Sequence, residues 1–356
     1  MGEMLTAEGA LARLGDHREK FQDRQVDVLV ATVGANPIPV AVTARLLVRE
    51  EGTVVLVHTA GVARYAEKLQ CLLRRDGFTV QTKDTSAEEP TVIVQAVRDA
   101  VTELQLAGDT VLGCNYTGGT KGMAVFGLQG MMAVRNEFRL VYLDPRALAI
   151  RTHWATQQGL VREEPVFVGD APALSIEEMI DLHGWERVNP APLAKPDAPP
   201  SGDEGRRFES RIQQELGGCG ITWSQPPLRS YHVEFPMSDL APDIARPRCE
   251  VDVIGTTGYV LHYVTATIQD RDQCRLKLME GLLRARQIGG DEARLTLVCK
   301  EKDPQRDTLR RLAASLTQNP GGVRVYGESD LANLGKRYAQ HWEQEVAKRK
   351  ERLKGG

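Results

Sequence analysis

Asn115–Met123 reads NYTGGTKGM. The stretch leaves a strand candidate, Asp109–Asn115, and enters a helix candidate, Gly118–Val134. A helix start carries unpaired N–H groups and the positive end of the helix dipole. Gly118 and Gly119 let an anion come close to the backbone, Thr117 and Thr120 add hydroxyl donors, and Lys121 adds a full positive charge. All of these suit a phosphate. The lysine follows the threonine, so this is not the GxxxxGK[ST] phosphate loop, and no GxGxxG announces a dinucleotide oxidoreductase. Taken alone, the stretch reads equally well as a tight turn with a capping threonine and a solvated lysine.

Its surroundings decide the fold. Upstream, Val26–Thr32 (VDVLVAT) and Thr53–Thr59 (TVVLVHT) are apolar runs of strand length, and Thr79–Thr82 is a short strand candidate. Helical patterns alternate with them at Pro39–Val48, Val62–Arg75 and Val92–Leu106, where Val94, Val97, Val101 and Leu104 share a face. Phe138–Tyr142 and Ala147–Thr152 read as closing strands. Apolar strands alternating with helices predict an α/β fold with a mostly parallel sheet covered on both faces. Such sheets bind ligands at the carboxyl ends of their strands. The loop after the first strand, Val33–Pro39 (VGANPIP), falls at the same rim as the turn. Thr32, Gly34, Asn36 and Pro37 thereby join Thr117, Gly118, Gly119, Thr120 and Lys121 as candidate ligand contacts. Asn36 can donate to and accept from a base edge, and Pro37 stiffens its loop.

The 356 residues suit two domains. Residues 1–25 form an N-terminal extension, 26–155 the ligand-binding domain and 156–188 a connecting segment, where Ser175 and Glu178 fit a helix capping box. Residues 189–205, NPAPLAKPDAPPSGDEG, are proline-rich with almost nothing to bury and read as a linker. Residues 206–356 mix strands and helices again: Arg206–Leu216, Leu276–Gln287 and Asp307–Thr317 helical, Arg248–Ile254, Tyr259–Thr267, Arg294–Val298 and Val323–Tyr326 extended. The last helix, 336–354, has seven Lys/Arg against three Glu, which reads first as a solvated face and second as a nucleic-acid contact.

Apolar residues make up 42% and charged residues 26% of the chain, a globular balance, and the net charge of -3 announces no nucleic-acid partner. Six scattered cysteines without a CxxC pair read as free thiols in a reducing compartment. No run approaches the roughly 18 apolar residues of a membrane span. Together these predict a cytoplasmic protein without a membrane partner.

The pair VGANPIP and NYTGGTKGM resembles the CARF domain of CRISPR ancillary nucleases. The segment LSIEEMIDLHGW (Leu174–Trp185) shares the resemblance, which continues through Gly205–Leu216 and Cys249–Arg294. It implies a Rossmann-like CARF domain linked to a PD-(D/E)xK restriction-endonuclease-like α/β domain. It also implies a type III CRISPR effector in which two copies of the chain bind a cyclic oligoadenylate, usually cyclic tetra-adenylate, across a homodimer. The partners implied beyond that ring are DNA or RNA at the C-terminal domain.

The PD-(D/E)xK chemistry needs a helix Glu, a strand Asp and a Glu-x-Lys on the next strand, with Mg²⁺ or Mn²⁺ held by the carboxylates. By resemblance Glu209 is the helix Glu and Asp252 the strand Asp, the two candidate metal ligands, and Glu250 shares the face of Asp252. The Glu-x-Lys falls on Thr265 and Thr267, which supply neither a charged ligand nor an ammonium. Two readings stay open. The catalytic site has decayed and the domain persists as a scaffold, or the site is active with relocated groups: Glu209, Glu250, Asp252 and Asp270 or Asp272, with Lys277 or His262 in place of the lysine. For Asp270 and Asp272 the plain alternative is a solvated turn, and for His262 an ordinary strand histidine facing away from Thr265.

Overall fold

A computed structural model describes residues 11–188, 202–235, 248–316 and 322–354. The expected linker lies largely outside them. The chain forms two compact units, one built from residues up to Leu174 together with Leu182–Gly184, the other from Ser175–Asp181 and from Trp185 onward.

In the first unit, helix α1 (Gly15–Glu19) precedes strand β1 (Val26–Thr32). Then come α2 (Ile38–Leu47), β2 (Val48–His58), α3 (Ala63–Arg75), β3 (Thr79–Asp84), α4 (Pro90–Glu103), β4 (Leu112–Asn115) and α5 (Lys121–Val134). Strands β5 (Phe138–Asp144), β6 (Ala149–Thr156), β7 (Gly159–Arg162) and β8 (Val166–Phe167) complete it. The sheet order is β3-β2-β1-β4-β5-β6-β7, with β8 pairing β6. Strands β3 to β5 along that order are parallel, and β6 to β8 pair antiparallel. The sheet is the mostly parallel one the apolar runs predict.

Both faces are covered. Val28, Val30, Val55, Val57, Leu112 and Cys114 pack with Ile93, Val97 and Val101 of α4 and Met123 and Met131 of α5. Every residue of α2 is buried, which explains why IPVAVTARLL has no polar stripe. Its one charge, Arg45, is neutralised inside the unit by a two-pronged pair with Asp76 at 2.7 and 2.9 Å.

The second unit begins with α6 (Ile176–Leu182), capped as the sequence predicts: Ser175 Oγ accepts from the Glu178 amide and Glu178 Oε2 from the Ser175 amide. Next come β9 (Glu186–Arg187), α7 (Gly202–Gly217), β10 (Gln225–Glu234), β11 (Arg248–Thr257), β12 (Val260–Thr267) and α8 (Arg271–Gly289). Strand β13 (Arg294–Cys299), α9 (Asp303–Leu316), β14 (Val323–Tyr326) and α10 (Leu334–Lys354) follow. The sheet runs β14-β13-β12-β11-β10-β9, parallel from β14 to β12 and antiparallel beyond. Helices α7 and α10 close one core over it with Phe208, Ile212, Leu216, Leu334 and Tyr338 against Val253, Val264, Val298 and Tyr326. Strand β10 is absent from the sequence reading because Pro226 and Pro227 open it and its residues are largely polar.

Candidate functional site

Strands β1 and β4 are neighbours at the centre of the first sheet, with Ala31 beside Asn115. Their carboxyl ends therefore deliver the two loops side by side. They touch backbone to backbone: a Cβ on Gly118 would stand 2.3 Å from the Thr32 carbonyl oxygen, and one on Gly34 2.6 Å from the Gly119 nitrogen. The glycines are thus required by the loops' approach to each other, a reason the sequence does not disclose. Gly119 adds a left-handed φ of 78°.

The remaining polar groups divide into inward and outward sets. Thr32 is buried and its hydroxyl donates to the Gly118 carbonyl at 2.7 Å, bracing one loop on the other. Asn115 is buried, and its side-chain oxygen accepts from the Thr117 amide at 2.9 Å. Thr117 Oγ1 accepts from the Leu143 amide at 2.9 Å. Pro37 is buried at the start of α2, and Asn36, half-buried beside it, accepts from the Ile38 amide at 3.2 Å. The outward set is Gly119, Thr120 and Lys121, all exposed. Thr120 caps α5, its hydroxyl accepting from the Met123 amide at 3.1 Å, so the helix starts at Lys121 and not at Gly118. Lys121 stands exposed at the first helical position. Tyr116, to which the sequence assigns no role, stacks on Tyr142 at 5.5 Å and stiffens the entry to the turn.

In the second unit the register pairs Val253 with Val264, which sets Asp252 beside Thr265. Asp252 is buried, and its Oδ2 takes three donors: the Ala266 amide at 2.7 Å, the Thr265 hydroxyl at 3.0 Å and the Lys277 ammonium at 3.3 Å. Glu209, on α7, is half-buried nearby. Burial, then the charges of Asp252 and Glu250, push its carboxyl above the usual range, while Lys277 and Arg229 oppose the shift. Glu250 is exposed, with His232 at 3.8 Å. Thr267 Oγ1 accepts from the Gln269 amide at 3.1 Å and reaches none of the carboxylates.

The four relocated candidates resolve differently. Lys277 does join the cluster, from α8 instead of the strand. His262 does not: it is buried between Thr257 at 2.7 Å and Tyr338 at 2.6 Å, edge-on to Trp223 and Trp342. Burial, with Arg294 nearby, pushes its pKa down to about 3, so it is a neutral core residue. Asp270 caps α8 by accepting from the Gln273 amide, and Asp272 pairs with Arg275, both local duties.

Among the described residues no three His, Cys, Asp or Glu side chains are grouped to hold an ion, and Oδ2 of Asp252 is already occupied by donors.

No protein-family model matches the sequence, and no curated protein does. Solved structures do. VC1899 from Vibrio cholerae superposes with a TM-score of 0.62 at 12% identity, over 90% of this chain and 98% of that one. Can2 from Sulfobacillus thermosulfidooxidans, in complex with cyclic tetra-adenylate, gives 0.61 at 12% identity, over 90% and 99%. The fold is the one these structures share. A type III CRISPR defence DNA nuclease activated by cyclic oligoadenylate gives 0.51 at 19% identity, over 77% of this chain but 45% of that one. At such identities the likeness is one of architecture alone. No helix among the described residues is long and apolar enough to cross a membrane.

Proposed function

We propose that the chain is a homodimeric, cytoplasmic sensor of a cyclic oligoadenylate, cyclic tetra-adenylate first, in the type III CRISPR response. One observation carries the reading: two loops at the centre of a parallel sheet lock together through Gly34 and Gly118 and leave Gly119, Thr120 and Lys121 exposed at the start of a 14-residue helix. The helix amides and Lys121 hold phosphate, and the Asn36 loop reads adenine or ribose. A ring of equivalent nucleotides has rotational symmetry, which suits a two-fold interface. The Can2 complex with cyclic tetra-adenylate lends the ligand its identity, and the six free cysteines agree with a reducing compartment. Calorimetric titration of the purified chain with cyclic tetra-adenylate, cyclic hexa-adenylate and ATP tests it. Binding of a ring with submicromolar affinity is expected; ATP binding without response to either ring would make the chain a housekeeping nucleotide-binding protein instead.

The nuclease-type unit serves this sensor as a catalytically impaired domain. Support comes from Thr265 and Thr267 at the Glu and Lys positions and from the three donors that hold Asp252. A second reading, an active nuclease with relocated groups, draws on one observation: Lys277 reaches Asp252 from α8. The two separate in an assay with Mn²⁺, activator and single- or double-stranded DNA or RNA. Activator-dependent cleavage abolished by Asp252→Ala would establish the second.

A further inference from the structure

Two carboxylates in the second unit each serve three arginines. Asp330 takes Arg306 at 3.0 Å, Arg337 in closer contact and Arg310 only at 3.8 Å. Glu345 takes Arg349 at 2.6 Å, Arg294 at 2.9 Å and Arg324 only at 3.9 Å. Burial works against the charge on Asp330, yet the Gly327 amide and the arginines hold its carboxyl below the usual range, so it is fully ionised and fully used. Asp307, mostly exposed, adds one more carboxylate, 3.5 Å from both Arg306 and Arg310. Six guanidinium groups thus share three carboxylates: Arg324 has only the 3.9 Å approach to Glu345, and Arg310, 3.8 Å from Asp330, has its nearer carboxylate in the exposed Asp307 at 3.5 Å.

Those two meet at one place. A pocket of about 340 Å³ wraps the edge strand β14, lined by Arg310, Arg324 and His341 with Ala313, Ala314, Val323 and Val325. Side chains alternate along a strand, so Arg324 lies on the opposite face of β14 from Val323 and Val325, and the pocket grips the sheet edge from both sides. Arg310 is fixed there by its Nε–H, which donates to the Val325 carbonyl at 3.0 Å. His341 is fixed by the Tyr326 hydroxyl at 2.8 Å. The histidine also reports the local potential: after burial, the charges of Arg324 and Arg310 push its pKa down. Both arginines remain 40% exposed. Held cations with surplus charge, open to solvent in a concave site, match the geometry of phosphate oxygens.

We infer that this edge pocket binds phosphate groups, with Arg310 and Arg324 as the direct ligands. It lies two strands out from β12, which carries Thr265 and Thr267, and belongs to a separate set of side chains from Glu209, Asp252 and Lys277. A phosphodiester chain running past the pocket is one source of the phosphate and free inorganic phosphate the other. The inference does not depend on the ligand turn of the first unit.

The test uses the full chain and the double variant Arg310→Gln/Arg324→Gln, with Arg310→Lys/Arg324→Lys as the charge-preserving control. A fluorescein-labelled single-stranded oligonucleotide is titrated by anisotropy at several salt concentrations, and inorganic phosphate by calorimetry. The expected result is binding of at least one probe, weakened about tenfold or more by the Gln pair and partly restored by the Lys pair. For the oligonucleotide, the slope of log K against log salt drops by about one to two units. Cyclic tetra-adenylate binding stays unchanged in the double variant, which separates failure here from failure of the sensor reading. Binding of neither probe, equal binding by wild type and Gln pair at matched thermal stability, or equally tight binding of a polyglutamate peptide overturns the inference.

Discussion

The turn in the first unit and the carboxylate cluster in the second hold similar polar inventories and use them in opposite ways. At the turn, Thr32, Asn115 and Thr117 spend their hydrogen bonds on the loops and the elements beside them, and Gly119, Thr120 and Lys121 stay exposed. The inner set builds a rigid frame, and the outer set stays open to solvent, with Thr120 bonded only within its own surroundings, to the Met123 amide and the Ala87 carbonyl. In the cluster the flow is inward: the Ala266 amide, Thr265 hydroxyl and Lys277 ammonium all converge on one oxygen of Asp252. A site that binds must leave groups unsatisfied until its ligand arrives, whereas groups that satisfy one another stabilise a fold. The contrast explains why the ligand reading rests on the first unit.

The sharpest way to break the comparison is Gly118→Ala. The added methyl would stand 2.3 Å from the Thr32 oxygen and 3.0 Å from the Gly34 nitrogen, both backbone atoms that cannot step aside. The two loops must part, so ring binding should be lost, with a stability cost of about 2–4 kcal/mol by urea denaturation. Normal affinity in this variant would show that the loops do not act as one frame. Lys121→Ala removes an outward group only. Its expected effect is a loss of about 1.5–3 kcal/mol in ring affinity, the worth of a hydrogen bond to a charged group, with an unchanged melting temperature. A drop in stability instead would place Lys121 in the inner set.

Asp252→Ala probes the cluster in the reverse sense. It strands the Ala266 amide and the Thr265 hydroxyl, both buried, at a cost of about 1–3 kcal/mol in unfolding free energy. Ring affinity should not move. Asp252→Asn keeps an acceptor for both donors and loses only the charge toward Lys277, so it should be milder. An Ala variant as stable as wild type would mean that Asp252 is not a structural hub, and would favour the relocated-nuclease reading.

What the sequence discloses follows from what local chemistry can encode. Apolar content suffices for β1, read as Val26–Thr32, and period for β14, read as Val323–Tyr326, where Val323 and Val325 alternate with Arg324. The turn is legible because Gly, Thr and Lys each have a local reason to sit at a helix start. The purpose of Gly34 and Gly118 is not legible, since it lies in an approach between segments 84 residues apart. Likewise Thr265 is visible as a missing glutamate, but its bond to Asp252 needs the strand register. Lys277 and His262 were equal candidates by residue type. Only packing separates them, sending one to the carboxylates and the other into an aromatic core.

The smallest effect concerns Glu209. Burial and the charges of Asp252 and Glu250 raise its pKa above the ordinary 4.5, with Lys277 and Arg229 as partial counterweights. A carboxyl that holds its proton more tightly folded than unfolded favours the folded state at acid pH. That contribution is complete below the unfolded value and is lost as pH rises through the folded one. At neutral pH the ionised Glu209 is therefore a mild strain on the cluster. Glu209→Gln should raise the melting temperature slightly between pH 7 and 8 and leave it unchanged below about pH 4, where the wild-type carboxyl already carries its proton. A melting temperature that falls at neutral pH would mean that Lys277 and Arg229 outweigh the two carboxylates at Glu209. The cluster would then be a balanced ion network in which the Glu209 charge stabilises the fold.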